Sequence, residues 1–327
     1  MVSRKELDER EECTVGGEKL SAGDYFRPAL PRGVFAAILT PMDGDLYPDH
    51  RAFAAHCRRL LEAGCHGLAV FGTTGEANSL SVDERLAALE ALVEGGVPGE
   101  SMLPGTGSSA LTDTVRLSRA ALEVGARGVL VLPPFYYKGV DDDCLFRFFA
   151  EVVERVDDDR LRVYLYHIPH LTGVGFGFGV ISRLLEAYPG VVVGTKDSSG
   201  DKERITTLCR EFPGFHVLAG TETLLLDTLR EGGAGCISAT VNVTSRLARR
   251  VHDAHEAGET DEAEDLQRRL TELRALIEAY PMIPALKRLT AELTGDEYWR
   301  NLRPPLCALD EARAEELLLR LPLSELL

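Results

Sequence analysis

Short apolar runs alternate with longer amphipathic stretches along most of the chain, beginning at Gly33. Each run is at most about eight residues long, which suits a strand buried on both faces of a parallel sheet. The runs span 34–40, 67–72, 101–107, 128–134, 162–169, 191–197, 216–220 and 235–240. The pattern therefore predicts eight buried strands.

The stretches between the runs have the periodicity and the end signals of helices. Asp49 is placed as an N-cap, and Ser81 and Glu84 have the spacing of a capping box. Predicted helices span 49–63, 81–94, 112–124, 141–156, 178–187, 201–211 and 223–231. After Thr244 the pattern is wholly helical, at 244–257, 260–280, 283–294 and 310–320.

Strands that alternate with helices favour a parallel sheet, and eight such units are the number that closes a (β/α)8 barrel. An open doubly wound sheet is the alternative, and it is disfavoured because no G-x-G-x-x-G motif opens a first helix. We therefore predict an α/β fold, a (β/α)8 TIM barrel with a C-terminal helical appendix. The predicted domains are an N-terminal extension over 1–32, the barrel over 33–257, and a C-terminal helical region over 258–327 packed on the barrel.

Composition and charge exclude several classes of partner. The 52 acidic residues outnumber the 36 basic ones and give a net charge of −16, which argues against binding to nucleic acid or to an anionic membrane. No apolar run reaches about 18 residues, and the N-terminus lacks the apolar segment of a signal peptide. The seven cysteines form no C-x-x-C pair and no zinc spacing, so we expect reduced thiols, no metal and a cytoplasmic protein.

Two polar residues at strand ends are the first candidates for chemistry, because the active site of such a barrel lies at the C-terminal ends of its strands. Lys196 ends the sixth predicted strand. A buried neutral lysine is a nucleophile toward carbonyl groups, although an ion pair with Asp197 explains the residue equally well. Tyr166 ends the neighbouring fifth strand and can reach a lysine adduct, although a core tyrosine is the simpler explanation of it alone.

Two loops at the same end of the predicted barrel add polar and aromatic groups. The turn GTTGE, 72–76, can bring backbone N–H groups and two threonine hydroxyls to a carboxylate. The loop PPFYYKG, 133–139, places adjacent tyrosines where they suit a pocket or a subunit contact. A plain strand-to-helix turn and a hydrophobic lid are the corresponding structural explanations, so neither loop is specific alone.

Taken together, these motifs resemble the dihydrodipicolinate synthase / N-acetylneuraminate lyase family of pyruvate-dependent class I aldolases. The resemblance covers about 33–309 and rests on the order and spacing of its motifs. They are the TP of LTPMDGD (39–45), GTTGE (72–76), GTGS (105–108), PFYYKG (134–139), YHIPHLTG (166–173), KDSSGD (196–201) and AGTE (219–222). The family implies a lysine Schiff base with a 2-oxo acid, which needs no cofactor because the protonated imine is the electron sink.

The resemblance implies catalytic roles by position. Lys196 would form the Schiff base, and Tyr166 would carry protons to and from the adduct. Thr73 would relay protons through its hydroxyl. Tyr137 would complete the relay from a neighbouring subunit. Such a relay suits the dehydration of a carbinolamine, which needs an acid and a base in turn.

Other positions would bind substrate, again by resemblance. Thr73 and Thr74 would hold the carboxylate of the 2-oxo acid through their backbone N–H groups, and Gly72 would bind substrate in the same turn. Gly220 and Ile237 would line the pocket with backbone groups. Ser198 stands where a hydroxyl contact to the substrate is expected.

Departures from the family pattern bear on the second substrate. In dihydrodipicolinate synthases the motif after the tyrosine carries an arginine that binds a carboxylate, and Leu171 stands there in this chain. A buried anion left unpaired costs about 3–5 kcal/mol, which disfavours lysine biosynthesis. Glu222 and Thr223 only partly match the Asp-Glu pair with which sialic acid lyases bind hydroxyls. His167 and His170 are two further departures from the family motif. Each is either a packed or loop histidine or a contact to the substrate.

We therefore predict a homodimeric or homotetrameric lyase that forms or cleaves a C–C bond between pyruvate, or a related 2-oxo acid, and an aldehyde. One alternative is 4-hydroxy-tetrahydrodipicolinate synthase, if another arginine replaces the missing one. A second is an aldolase or dehydratase acting on a 2-oxo-3-deoxy sugar acid. The non-enzymatic alternative is a protein that only binds 2-oxo acids on the same scaffold, which the intact Lys196, Tyr166, Thr73 and Tyr137 disfavour.

Overall fold

Parallel strands form the centre of the computed structural model, which describes residues 14–15, 18–19 and 30–326. Thr14–Val15 (β1) and Glu18–Lys19 (β2) form a separate antiparallel pair, and the rest of the predicted extension before Leu30 lies outside the described residues. The central strands are β3 Gly33–Ala37, β4 Gly67–Ala69, β5 Val129–Val131, β6 Val163–His167, β7 Val192–Asp197, β8 His216–Ala219 and β9 Gly235–Ser238. They form one sheet in the order β4-β3-β9-β8-β7-β6-β5.

The predicted strand at 101–107 closes this sheet without forming a regular strand. Leu103 N–H donates to Leu68 O at 2.8 Å on one side, and on the other side Leu130 N–H donates to Pro104 O at 2.9 Å. Pro104 has no N–H to donate, which interrupts the ladder at this point. The segment nevertheless joins the edge strands β4 and β5, so eight parallel segments form a closed barrel. The predicted (β/α)8 fold is confirmed.

Helices follow the strands in the expected order. They are α1 His50–Glu62, α2 Val82–Glu94, α3 Leu111–Glu123, α4 Asp142–Val156, α5 Pro169–Thr172, α6 Phe178–Ala187, α7 Lys202–Glu211, α8 Leu225–Arg230, α9 Val241–Glu256, α10 Thr260–Glu278, α11 Met282–Thr294 and α12 Glu311–Arg320. Ser81 and Glu84 form the predicted capping box at the start of α2. The short α5 was not predicted, and α9 begins before Thr244 and is kinked there. Within the described part of the chain, no helix has the length and apolar character needed to cross a membrane.

A second hydrophobic core joins the C-terminal helices to the barrel. It combines Leu39, just after β3, and Val243 of α9 with Leu273, Leu286 and Leu317 of α10, α11 and α12. All five side chains are fully buried. This packing lays α10 and α11 across the carboxyl end of the strands, where their polar side chains can enter a site.

Candidate active site

The register between β6 and β7 brings Lys196 and Tyr166 together. Tyr166 pairs with Lys196, and His167 pairs with Asp197, so alternation along the strands places the two pairs on opposite faces. Lys196 and Tyr166 are 4 % and 3 % exposed, and the lysine Nζ donates to the tyrosine OH at 3.2 Å. A buried amine beside a phenol can attack a carbonyl carbon and exchange protons with its neighbour.

Thr73 extends this pair into a chain of three groups. Tyr166 OH donates to Thr73 Oγ1 at 3.3 Å, which links amine, phenol and hydroxyl. A hydrogen bond from Thr40 holds the turn that carries Thr73, since Thr40 Oγ1 donates to Gly75 O at 2.7 Å. A Cβ at Gly75 would lie 2.7 Å from Ile38 O, so the turn requires glycine there. The chain of three groups is thus set on a rigid support.

A buried ion pair holds the end of the same turn on α11. The side chains of Glu76 and Lys287 are fully buried and contact each other. Lys287 Nζ also donates to Asn301 O at 2.6 Å, and Arg303 N–H donates to Glu76 Oε2 at 3.1 Å. Burial lowers the pKa of Lys287, and Glu76 opposes that shift. The C-terminal helices therefore help to position the turn of Thr73.

A cavity of about 480 Å³ opens at Lys196 and Tyr166. The predicted site residues on its wall are Lys196, Tyr166, Thr73, Thr74, Ser198 and Gly220, together with His170 and Thr223. Residues that the sequence did not single out also line it: Ile168, Ser199, Gly200, Thr221, Leu224, Ala239, Arg274, Glu278 and Met282. A larger groove of about 610 Å³, between α2, α3 and α4, carries none of the predicted site residues.

Gly220 packs closely against Ser198 on this wall. Its N–H donates to Asp197 O at 2.7 Å, and a Cβ on it would lie 2.0 Å from Ser198 Oγ, so a larger residue would not fit. Gly72 and Ile237 are not among the described wall residues, and the Ile237 side chain is fully buried in β9. Their predicted contacts with substrate stay predictions.

Glu222 lies behind the cavity wall. Its fully buried carboxylate accepts hydrogen bonds from the hydroxyls of Ser238 and Thr240 and pairs with Arg274 at 2.7 Å. Because both oxygens are engaged, a substrate hydroxyl would have to displace one of these partners. The predicted contact of Glu222 with substrate stays a prediction, and Arg274 is the group of this cluster that reaches the cavity.

Arg274 is a candidate site residue that the sequence motifs do not include. It lies on α10, its side chain is 10 % exposed, and Nη1 donates to Glu222 Oε2 at 2.7 Å. Nε and Nη2 donate to Glu278 Oε1 at 2.9 Å and 2.6 Å. Burial by itself would lower the pKa of Arg274, but Glu222 and Glu278 raise it above its usual value. Its spacing is a local signal, because Arg274 comes four residues after Leu270 and three before Ile277, both buried on the apolar face of α10.

The two added histidines have different surroundings. His167 is buried, and its Nδ1 accepts from Phe176 N–H at 3.0 Å. Burial lowers the pKa of His167, and Asp197 opposes that shift. Arg204 Nε donates to Asp197 Oδ2 at 2.7 Å and its Nη2 donates to Phe176 O at 2.6 Å, so this cluster holds the segment after β6 in place. His170, by contrast, lines the cavity.

Tyr137 and Leu171 are exposed, at 70 % and 58 %. Tyr136 packs edge to face on Tyr137 with 5.3 Å between ring centroids. Lys138 Nζ donates to Thr172 O at 2.5 Å, which ties the tyrosine loop to the segment of Leu171. Neither Tyr137 nor Leu171 is among the described wall residues of the cavity in its own chain. The predicted roles of both stay predictions.

A cluster that the sequence did not reveal lies near the amino end of β4. Ligand atoms of His66, His252 and Asp253 lie within 4.8 Å of one another. However, Val34 N–H donates to His66 Nδ1 at 3.0 Å, and Arg249 Nε donates to both oxygens of Asp253 at 2.7 and 2.8 Å. His66 and Asp253 are therefore held by hydrogen bonds from the protein itself, without a metal ion. The absence of a metal cofactor stays a prediction.

A barrel with a buried lysine and tyrosine at its strand ends suits an enzyme that acts on carbonyl groups, and comparisons with known proteins give its family. The chain belongs to the dihydrodipicolinate synthetase family, whose model matches residues 30–321. It is 39 % identical to an uncharacterized DapA-like lyase of Chloroflexus aurantiacus, over 86 % of this chain and 93 % of that protein. The chain is therefore a lyase of this family.

Two solved structures are similar over nearly the whole barrel. Dihydrodipicolinate synthase from Agrobacterium tumefaciens has a TM-score of 0.79 and 33 % identity, covering 87 % of this chain and 96 % of that one. YagE, a prophage protein of the dihydrodipicolinic acid synthase family from E. coli, was solved in complex with pyruvate. It has a TM-score of 0.81 and 28 % identity, covering 88 % and 97 %.

Proposed function

We propose that Lys196 forms a Schiff base with pyruvate or a related 2-oxo acid, and that the enzyme makes or breaks a C–C bond between this acid and an aldehyde. The observation that carries the proposal is the buried contact between Lys196 Nζ and Tyr166 OH, 3.2 Å long, on the wall of the cavity. The pyruvate bound to the structural relative YagE supports the choice of a 2-oxo acid.

The geometry suits each proton transfer of this reaction. The Lys196 amine adds to the C2 carbonyl, water leaves the carbinolamine, and loss of a proton from C3 gives an enamine. The enamine carbon bonds to the aldehyde carbon, whose oxygen takes up a proton, and water then releases the product from Lys196. Tyr166 is the group beside the amine that gives and takes these protons, and Thr73 connects it to the turn. This chemistry requires no metal or organic cofactor, because the protonated imine accepts the electrons.

Reductive trapping tests the proposal directly. Pyruvate with borohydride is expected to add one 1-carboxyethyl group per chain, located by peptide mass spectrometry at Lys196, because Lys196 lies on the wall of the cavity. Lys196→Ala should abolish the label. Lys138 and Lys202 are the internal controls, since both lie outside the cavity wall. A label on either of them, or none on the wild type in the presence of pyruvate, would contradict the mechanism.

We further propose a homodimer or homotetramer in which Tyr137 serves the site of a neighbouring subunit. Tyr136 and Tyr137 form an aromatic pair that is 74 % and 70 % exposed in one chain, and such a patch suits a protein interface. A two-fold contact is self-complementary, so each subunit would deliver its tyrosine to the other. A cytoplasmic location is part of the same proposal, because the cysteines of the described residues are free thiols.

Subunit mixing tests the shared site. Tyr137→Phe and Lys196→Ala are each expected to be inactive, and exchange of their subunits should restore up to about a quarter of wild-type activity per site. The reason is that a mixed dimer has one site with both lesions and one with neither. If Tyr137 served its own chain, every site would keep a lesion and no activity would return. Each variant alone, taken through the same exchange, is the control.

A second candidate is 4-hydroxy-tetrahydrodipicolinate synthase, which the Agrobacterium relative suggests by its name. Leu171 stands where that activity expects an arginine, but Arg274 supplies a guanidinium on the cavity wall. Glu222 and Glu278 both occupy that guanidinium, so it is not free to bind a carboxylate. The observation therefore favours a different second substrate.

A further inference from the structure

The side-chain cluster of Arg274, Glu222 and Glu278 at the cavity holds two carboxylates against one guanidinium. Arg274 lies between two carboxylates, that of Glu222 behind the wall and that of Glu278 on it. The ionisable residues of the described wall are Tyr166, His170, Lys196, Arg274 and Glu278. In the proposed reaction Lys196 Nζ is bonded to the 2-oxo acid. No unpaired lysine or arginine on this wall then remains to bind a second anionic group of the substrate.

Glu278 occupies the edge of Arg274 that a substrate carboxylate would use. Its Oε1 accepts from Nε and Nη2 at 2.9 and 2.6 Å, and this edge is one with which arginine binds carboxylates through parallel hydrogen bonds. On the other side, Nη1 donates to Glu222, to Ser238 Oγ at 2.8 Å and to Thr240 Oγ1 at 3.0 Å. An incoming carboxylate would have to displace Glu278 and would meet its charge at close range.

We propose that Glu278 excludes substrates that carry a carboxylate at the end distal to the Schiff base. The enzyme would then select substrates whose distal end is uncharged. The inference rests on the proposed function, because it concerns the part of the substrate beyond the carbon bonded to Lys196. Specificity obtained by repulsion is as effective as a new attractive contact. Thr221 and Thr223, whose hydroxyls lie 2.9 Å apart on the same wall, can donate to or accept from a neutral polar end.

Trapping of longer 2-oxo acids tests this without knowledge of the natural aldehyde. 2-Oxoadipate and 2-oxohexanoate have the same chain length and differ in whether the distal end is a carboxylate or a methyl group. The concentration of each that gives half-maximal borohydride labelling of Lys196 is measured for the wild type and for Glu278→Gln. The glutamine keeps an oxygen that accepts from Arg274 and removes only the charge.

The wild type is expected to be labelled at a lower concentration of 2-oxohexanoate than of 2-oxoadipate. The ratio of the half-maximal concentration of 2-oxoadipate to that of 2-oxohexanoate should fall by roughly tenfold in Glu278→Gln. Glu272→Gln is the matched control, because Glu272 lies on the same helix, is similarly exposed and pairs with Arg269 at 3.0 Å outside the cavity. It should leave the ratio unchanged.

Several results would overturn the inference. They are equal labelling of the wild type by both acids, an unchanged ratio in Glu278→Gln, or a shift in Glu272→Gln as large as that in Glu278→Gln. Labelling by pyruvate but by neither six-carbon acid would also overturn it, since the cavity would then hold no distal group. Failure of pyruvate itself to label Lys196 would instead refute the proposed function.

Discussion

Tyr166→Phe is expected to lower kcat by roughly 10²–10⁴-fold, the usual contribution of a positioned acid-base group. The phenol OH accepts a hydrogen bond from Lys196 Nζ at 3.2 Å and donates one to Thr73 Oγ1 at 3.3 Å. The variant keeps the amine, so prolonged incubation with pyruvate and borohydride should still label Lys196. Steady-state kinetics and the rate of labelling together separate the loss of proton transfer from the loss of the nucleophile.

Tyr164→Phe is the matched control for this experiment. Tyr164 lies two residues earlier on β6, on the same face of the strand, and is fully buried. Its hydroxyl has no hydrogen-bond partner among the described residues. Removing it should leave kcat within a few-fold of wild type. Equal losses in the two variants would mean that the barrel interior, rather than the phenol beside Lys196, was being disturbed.

Lys287→Met is expected to lower the free energy of unfolding by about 3–5 kcal/mol, because it leaves Glu76 buried without its partner. Both side chains of this pair are fully buried, and Lys287 Nζ also donates to Asn301 O at 2.6 Å. Chemical denaturation followed by circular dichroism measures the loss. Combining Lys287→Met with Glu76→Gln should recover part of it, since the buried charge is then removed as well.

Lys202→Met provides the comparison on the surface. Lys202 pairs with Asp227 at 2.8 Å, but the two side chains are 58 % and 34 % exposed. Water screens such a pair, so the expected loss is at most about 1 kcal/mol. A loss in Lys287→Met no larger than that in Lys202→Met would show that the buried pair does not hold α11 to the active-site turn.

The barrel and the centre of its site could be predicted from sequence because their signals are local. Strand runs, the capping box of Ser81 and Glu84, and the helix stretches depend on neighbours within about one turn or one strand. Once eight strand-helix units are recognised, the topology places strand ends at one face. Lys196 and Tyr166 therefore come together on β7 and β6 as a consequence of adjacent strands in register.

The deviations in the fold also have local causes, two prolines whose effect the pattern of apolar residues does not report. The segment at 101–107 has the apolar character of a strand, but Pro104 removes a donor and only isolated bridges remain. Pro169 begins the short helix α5, where the apolar pattern predicts the end of a strand followed by a loop. In both cases the pattern of apolar residues predicts the position of the segment but not its backbone hydrogen bonds.

The sequence by itself determined the succession of strands and helices, and with it the position of Lys196 beside Tyr166. Only the tertiary structure decided which side chains complete the cavity wall. Arg274 meets Glu222 across 52 residues of chain, because α10 packs over the barrel end. Whether a charged residue of an amphipathic helix faces solvent or a partner depends on that packing, and periodicity reports only the apolar face. The pairing of Arg274 with Glu222 and Glu278, and hence the proposed selection of substrate, therefore depends on how α10 packs on the barrel.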